Sequence, residues 1–502
     1  MTNIAVELSG IRKTFGGFVA LDDVSFTACY GQVHALLGEN GAGKSSLMNI
    51  LSGLYSPEAG SIQINAMPLS FSGPKDAVRA GVGMIHQHFK LVDKFTAREN
   101  VLLALAVDRK KPNTQEVHQK ILRLASRLHC EIDPNRIVGT MSVAERQRVE
   151  IIKALALGSR ILILDEPTAV LTEKEASSLY EVMAEIAATG TCVIIVTHKL
   201  RDVKAVAAEA MIMRQGRVVA TVDPKVTTTA ELTTLTVGTE IPEPRRSTKP
   251  SGDCVLRIEG LSGRDDAGPL KGTSLQVRSG EIYGIAGVGG NGQTELVDAL
   301  SGVGDIKDGQ ILVGTTSREW TDATRLSSAQ LLDLGLAWIP ADRQNCALAT
   351  RLSVQDNYAI AHIRSGIGSR FWINRRAIRK LASQAVAAAD VHGVRSLAQW
   401  VGLLSGGNAQ KLVVERELSR SPKIIVAHSP CRGLDVRAAA AVHGRLLEAR
   451  DNGIAVILIS EDLDEVLAIS DRIGVMSNGR IVAEFNAPGD RQAIGDAMVN
   501  HV

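Results

Sequence analysis

The sequence predicts an α/β fold built as two tandem halves, and three observations carry that reading. Short β-branched runs such as Val193-Ile-Ile-Val196 and Ile161-Leu-Ile-Leu164 have the pattern of buried parallel strands, and they alternate with stretches rich in Ala, Leu, Glu and Arg. The two halves repeat one another. A glycine-rich loop is set between an apolar strand and a helix. The length of 502 residues exceeds one ordinary domain and suits two of about 250. With 45% hydrophobic and 22% charged residues the chain is globular rather than disordered. Lys and Arg number 56 against 54 Asp and Glu, a balance that argues against a dedicated nucleic-acid binder. Aromatic residues at 3% are too few for an aromatic-lined carbohydrate groove. No apolar run approaches the roughly 18 residues of a membrane span, and no charged-then-apolar leader opens the chain. Six cysteines (29, 130, 192, 254, 346, 431) stand singly without a C-x-x-C pair, which fits a reducing cytosol better than disulfides or a metal site.

The repeat is visible residue by residue. Gly31-Gln-Val-His-Ala-Leu-Leu-Gly38, opening onto Asn40-Gly-Ala-Gly43, is echoed by Gly280-Glu-Ile-Tyr-Gly-Ile-Ala-Gly287, opening onto Gly289-Gly-Asn-Gly292. Met141-Ser142 followed by Gln147-Arg148 is echoed by Leu404-Ser405 followed by Gln410-Lys411, and Asp202-Val203 by Asp464-Glu-Val466. A period of about 250 residues is a domain duplication, not a solenoid. Between the halves, Ile241–Gly252 holds three prolines and no apolar period, so it reads as a linker. The expected domains are 1–240, a linker 241–252, and 253–502.

The first glycine loop carries chemistry. Gly38-Glu39-Asn40-Gly41-Ala42-Gly43-Lys44-Ser45 fits G-x-x-x-x-G-K-[ST] between a strand and a helix that continues through Ser46. Its backbone N–H groups suit β- and γ-phosphates, Lys44 supplies a point charge, and Ser45 a hydroxyl for Mg²⁺. Ile161-Leu-Ile-Leu-Asp165-Glu166-Pro167 puts two carboxylates at a strand end, 121 residues after Lys44. Asp165 suits Mg²⁺ and Glu166 an attacking water. A lone acidic pair at a strand end is more often a helix cap; the phosphate loop tips the reading. His198 closes the strand Cys192-Val-Ile-Ile-Val-Thr, and Gln87 ends another, Gly83-Met-Ile-His. His86 and His88 flank Gln87, but no third ligand is near in sequence, so a metal pair there is the weaker reading.

Taken in order, these motifs resemble the ATP-binding cassette (ABC) ATPases: a Walker A loop, a Gln loop, an S-x-x-x-x-Q-R signature, a hydrophobic-D-E-P Walker B strand and a strand-end His. The narrower pattern is similar to the duplicated ATP-binding subunits of bacterial simple-sugar and nucleoside importers. It rests on Asp165-Glu-Pro-Thr-Ala-Val-Leu-Thr172, on Gly-Asn-Gly-Gln-Thr294 in the second P-loop, and on Arg432-Gly-Leu-Asp435. The run His86-Gln-His-Phe-Lys-Leu-Val92 looks closer to the nucleoside branch. The resemblance implies two domains, each a RecA-like α/β core with an antiparallel β subdomain and a helical subdomain. It also implies ATP and Mg²⁺ as cofactors, with Ser45, Gln87 and Asp165 toward the metal. Lys44, Gln87, Glu166 and His198 are implied in catalysis, and Phe15 as an adenine-stacking face. The implied partners are membrane permease subunits and, through them, a substrate-binding lipoprotein. The implied place is the cytoplasmic face of the cell membrane, with no nucleic-acid partner.

In such ATPases two domains pair head to tail, and each nucleotide lies between one domain's Walker motifs and the other's signature. The two halves here differ accordingly. The second has Gln293 where the first has Lys44, His428 for Asp165, Ser429 for Glu166, Glu461 for His198, Ala341 for Gln87, and no aromatic in Leu261-Ser-Gly-Arg264 to match Phe15. Yet its signature, Leu404-Ser405-Gly406-Gly407-Asn408, is intact, whereas the first reads Met141-Ser-Val-Ala-Glu145. Pairing would collect every intact part, with Ser405, Gly406 and Gly407, at one site and every altered part at the other. One hydrolytic and one degenerate site in a single-chain pseudo-dimer is the expectation. The retained Gly287, Gly292 and Thr294 leave room for weak nucleotide retention at the second site. The basic run Asn374-Arg-Arg-Ala-Ile-Arg-Lys380, after Phe371-Trp372, and Arg245-Arg246 read as solvated surface rather than a nucleic-acid or lipid contact. The competing function is a soluble tandem ABC ATPase of the translation-factor type, which usually has two complete Walker sites and a long charged interdomain helix. Neither is present in the sequence.

Overall fold

The computed structural model describes residues 3–87, 89–106, 113–168, 171, 173–238, 251–263, 270–316, 319–362, 368–369 and 372–499. His88, Thr172, Arg245, Arg246, Arg264, Phe371 and the linker apart from Ser251 and Gly252 lie outside the described residues. The chain divides into two compact units, Met1–Ile241 and Pro242–Val502.

In the first unit a six-stranded sheet runs in the order Arg217–Val222, Glu209–Arg214, Val33–Gly38, Cys192–Thr197, Ile161–Asp165, Val82–Ile85. Five strands are parallel; Arg217–Val222 pairs antiparallel at one edge. Val33–Gly38 and Cys192–Thr197 are buried along their whole length, which is why they read as unbroken apolar runs rather than alternating ones. One face of this sheet shares a core with a four-stranded antiparallel sheet ordered Phe18–Cys29, Ile4–Phe15, Ala59–Ile64, Met67–Leu69. On the other face Leu179, Met183 and Ile186 of the helix Glu173–Ala188 pack against Leu162, Leu164 and Ile195. Three helices, Ala97–Leu105, Thr114–Arg127 and Val143–Ala156, form a separate body around Val101, Ile121, Ala125 and Ile152.

The second unit repeats the plan. Its six-stranded sheet is ordered Leu336–Ile339, Ile424–His428, Ala455–Ser460, Ile282–Ala286, Arg472–Ser477, Arg480–Asn486. Its antiparallel sheet comprises Lys271–Arg278, Cys254–Gly263, Ile306–Thr316 and Glu319–Asp322. Helices Val354–His362, Arg375–Ala388 and Gly406–Leu418 are its counterparts of the three-helix body of the first unit. Asn374 caps the helix Arg375–Ala388 by accepting from the Ala377 N–H, and Arg375, Arg376, Arg379 and Lys380 are exposed, a solvated basic face. Among the described residues no helix is long and apolar enough to cross a membrane, and the six cysteines are free thiols. In both units the chemistry-bearing loops follow the carboxyl ends of the parallel strands, where open α/β sheets place their ligands.

Candidate nucleotide site

The loop after Val33–Gly38 turns directly into the helix Lys44–Leu51. Gly43, the residue before the helix, has φ +99°, and a Cβ there would meet the Ala20 carbonyl at 2.7 Å. Gly41 has φ +85°, and a Cβ on Gly38 would run into the Met213 carbonyl. These three positions therefore require glycine for conformation or clearance. No acidic residue sits in the helix's first turn and no side chain caps it, so its N-terminal dipole faces the loop. Asn40 and Ser45 are exposed at the mouth, Glu39 and Ser46 half-buried, and Ala42 buried. Lys44 is only 6% exposed. Its Nζ donates to the carbonyls of Gly38 (2.6 Å) and Glu39 (2.9 Å), which folds the ammonium back across its own loop.

Asp165 ends one parallel strand and Glu166 follows it with φ +47°. The Glu166 N–H donates to the Val196 carbonyl (2.8 Å), tying this turn to the neighbouring strand. That anchor turns the Glu166 carboxylate toward the loops after two other strands. Gln87 Nε2 donates to Oε2 at 2.9 Å, and His198 Nδ1 lies 2.9 Å from Oε1. Two residues, 79 and 32 positions from Glu166 in sequence, thus converge on its carboxylate. Burial pushes Glu166 up, but the His198 hydrogen bond and the charges of His198, Lys44 and Lys199 outweigh it and hold the group below the ordinary carboxylate value. Asp165 goes the other way. Burial first and the adjacent Glu166 charge second raise it to about 6, with Lys44 only partly offsetting them. The pair is one carboxylate whose charged form is favoured beside one poised to bind a proton or a cation.

A second tier, not anticipated from the motifs, lies beneath. Asp202 is buried and accepts from Thr168 Oγ1 (2.6 Å), Thr197 Oγ1 (3.0 Å) and Tyr180 OH (2.6 Å). Lys199 Nζ donates to the Thr168 carbonyl and Gln147 Nε2 to the Pro167 carbonyl, each at 2.9 Å. This lattice clamps the segment after Glu166. Phe15 is 41% exposed, edge-on to Tyr55 (centroids 5.2 Å apart), with Lys13 Nζ 5.5 Å from its ring. It presents an aromatic face on the antiparallel sheet. His86 is partly buried, and burial holds it below the usual imidazole value.

The two signature helices begin differently. Ser142 Oγ accepts from the Glu145 N–H (3.2 Å) while Glu145 Oε2 accepts from the Ser142 N–H (2.7 Å), and Arg136 pairs with the same carboxylate at 2.5 Å. The first signature therefore caps itself, with its own anion at the helix start. Ser405 precedes the helix Gly406–Leu418 without a side-chain cap bond; its Oγ accepts instead from Asn408 Nδ2 at 2.9 Å. That helix keeps the anion-binding character of an open N-terminus.

In the second unit the loop is drawn shut by its own side chains. Gln293, buried where the first unit has Lys44, donates Nε2 to the Val288 carbonyl (3.0 Å) and accepts from the Asn291 N–H (3.1 Å). A Cβ on Gly289 would stand 2.6 Å from Glu461 Oε1, so a carboxylate lies against the glycine loop. Ser429 keeps the left-handed backbone of Glu166, with φ +41°, but has no carboxylate. Burial, then Arg432, lowers the His428 imidazole below its ordinary value.

Comparison with known proteins places this geometry in a family. The ABC transporter family model matches residues 21–169 and 270–432, once in each unit. The chain is 38% identical over 484 residues to the nucleoside import ATP-binding protein NupA of Lactococcus lactis, covering 95% of this chain and 94% of that one. It is 37% identical to the guanosine import ATP-binding protein NupO of Bacillus subtilis, covering 96% and 94%. With the ribose import ATP-binding protein RbsA 1 of Rubrobacter xylanophilus it shares 36% identity, covering 96% and 95%. Among solved structures, the archaeal ribosome recycling factor aABCE1, in complex with the stalk protein aP1, matches 97% of this chain and 92% of its own with a TM-score of 0.65. At 18% identity this is a likeness of fold alone. Two cassette units, each with a glycine loop, a signature helix and the same sheet order, together with relatives spanning nearly the full length, make this chain a member of the ABC transporter family of ATP-binding proteins, an ATPase of two tandem cassettes.

Proposed function

We propose that this protein is the energy-coupling subunit of an ABC importer for nucleosides or simple sugars, with one hydrolytic and one degenerate nucleotide site. The observation that carries the reading is the convergence of Gln87 and His198 on Glu166, set against Ala341, Glu461 and Ser429 at the corresponding places in the second unit. ATP binds with its phosphates on Gly38–Ser46 and its adenine against Phe15. Lys44 exchanges the Gly38 and Glu39 carbonyls for phosphate oxygens. Glu166 accepts a hydrogen bond from the attacking water, and His198 holds that carboxylate in place. The hard oxygen donors of Ser45, Gln87 and Asp165 suit Mg²⁺, and Asp165, raised by burial, gains most from a neighbouring cation. A cation held by these residues would supply charge neutralisation to the phosphoryl group.

In this reading the signature for that site comes from the other unit, with Ser405, Gly406 and Gly407 capping the γ-phosphate. Support comes from within each unit. The second signature helix has an open start and the first is capped by Glu145. The self-closed Gln293 loop and the Glu145 cap would then share the degenerate site. The relatives' names, import ATP-binding proteins, support membrane permease partners; in this reading the protein works on the cytoplasmic face of the membrane and serves, through the permeases, a substrate-binding lipoprotein. The test is co-expression with whatever multi-span membrane proteins the neighbouring genes encode, followed by uptake of labelled nucleosides and pentoses into vesicles. ATP-dependent uptake of one class, lost in Glu166→Gln, is the expected result. Failure to co-purify with any permease would overturn the importer reading.

A further inference from the structure

The lattice around Asp202 has a counterpart in the second unit whose chemistry has changed. Tyr180 lies fifteen positions beyond Asp165, and His443 fifteen beyond His428. By the same register Cys431 replaces Thr168, Ser460 replaces Thr197, and Glu465 replaces Asp202. In the first unit three hydroxyls donate to one buried carboxylate and the network closes. In the second, only Ser460 keeps its bond, donating to Glu465 Oε2 at 2.6 Å, while the Cys431 N–H donates to Oε1 at 3.1 Å. His443 Nε2 lies 3.5 Å from Glu465 Oε1, buried and without a hydrogen-bond partner. Cys431 Sγ makes a long contact to the Ala439 carbonyl, 3.8 Å. One ligand atom each from Cys431, His443 and Glu465 lie within 4.8 Å of one another. An imidazole and a thiol that make only long contacts now face the carboxylate where the first unit has a satisfied hydroxyl cluster.

We propose that Cys431 Sγ, His443 Nε2 and a Glu465 carboxylate oxygen form a binding site for a zinc-class divalent cation. Sulfur, imidazole and carboxylate are the donor set of zinc, with bond lengths of about 2.0–2.3 Å. Reaching them needs an inward movement of each side chain by about 1 Å or less from the present spacing. A thiolate and a carboxylate balance the two positive charges, and binding releases the Cys431 proton to solvent. A water completes the fourth position. The three ligands come from the turn after Ile424–His428, from the helix Val436–Asp451 and from the helix Leu463–Ile469, so the cation ties together the part of the second unit that Asp202 ties in the first. This assignment is independent of nucleotide hydrolysis.

The experiment uses the full-length chain, stripped with chelator and free of nucleotide. Co²⁺ is titrated as a spectroscopic substitute, and Zn²⁺ competes it off. The expected result is one equivalent of Co²⁺ with a thiolate-to-cobalt charge-transfer band, displaced by Zn²⁺, and a Zn²⁺-dependent rise in melting temperature. The triple variant Cys431→Thr, His443→Tyr, Glu465→Asp copies the hydroxyl lattice of the first unit, and it should lose both the band and the zinc-dependent rise. Cys431→Ser alone should lose the band and serves if the triple variant does not fold. No band in the wild type, or an undiminished band in Cys431→Ser, overturns the site.

Discussion

Glu166 and His198 meet at 2.9 Å, Oε1 against Nδ1, from the ends of adjacent parallel strands. The Glu166 N–H bond to the Val196 carbonyl fixes the backbone from which the side chain departs, and Gln87 and His198 hold the carboxylate itself. A charged, oriented carboxylate is what water activation requires.

Glu166→Gln should therefore abolish steady-state turnover while leaving ATP binding intact. A general base typically contributes about 10²–10⁴ in rate. Single-turnover phosphate release and retention of labelled ATP measure the two separately. Turnover near the wild-type value would sink the assignment of Glu166.

Ser429 has the backbone geometry of Glu166 without the carboxylate. Ser429→Ala should leave ATPase activity close to wild type. A collapse of activity in a folded variant would show the second Walker site to be catalytic.

The signature serines should separate stability from activity. Ser142 holds a capping box, so Ser142→Ala should cost about 0.5–2 kcal/mol of stability, read by thermal melting, with little change in turnover. Ser405 makes no cap bond, so Ser405→Ala should cost turnover instead, up to about 10²-fold. Gly406→Asp should cost more, even though its carboxylate would be drawn to Arg343, because it sets negative charge where phosphate approaches. A greater loss of turnover in Ser142→Ala than in Ser405→Ala would refute the pairing.

Asp165 gives a pH signature. Its folded value of about 6 lies above the ordinary 3.8, so the folded state holds a proton that the unfolded state has lost between those values. Stability from this group is complete below pH about 4 and is lost as pH rises through about 6. In nucleotide-free, Mg²⁺-free protein Asp165→Asn should be the more stable form at pH 8, by at most about 3 kcal/mol at 1.4 kcal/mol per unit, with the difference vanishing near pH 4. Melting curves of both proteins across this range decide it; a pH-independent difference would contradict the shift.

Asp202→Ala should be severe. It strips the acceptor from three buried or half-buried hydroxyl groups at once, each costing about 1–3 kcal/mol if left unpaired. Asp202→Asn should be milder, since one amide oxygen remains to accept. Chemical denaturation of the two variants would rank them; equal stability would show the lattice to be slack.

The repeat, the α/β class and the identities of Lys44, Asp165, Glu166, His198 and Gln87 were legible in the sequence because phosphate chemistry demands particular residue types at particular spacings. Apolar runs buried on both faces likewise announce parallel strands by composition alone. The sequence also sorted intact from altered motifs between the halves. Three matters waited for the tertiary structure. Gln87 and His198 could be placed at strand ends, but only the sheet order brings both onto the one carboxylate of Glu166. Glu145 reads as an altered signature residue, but only the helix start shows it acting as an internal anion. Cys431, His443 and Glu465 looked like a lone cysteine and scattered polar residues, twelve and twenty-two positions apart, with no ligand spacing to join them. Local spacing reports what one strand, turn or helix presents, whereas a cluster drawn from three elements is set by how those elements pack, and packing depends on the whole sheet rather than on any window of sequence.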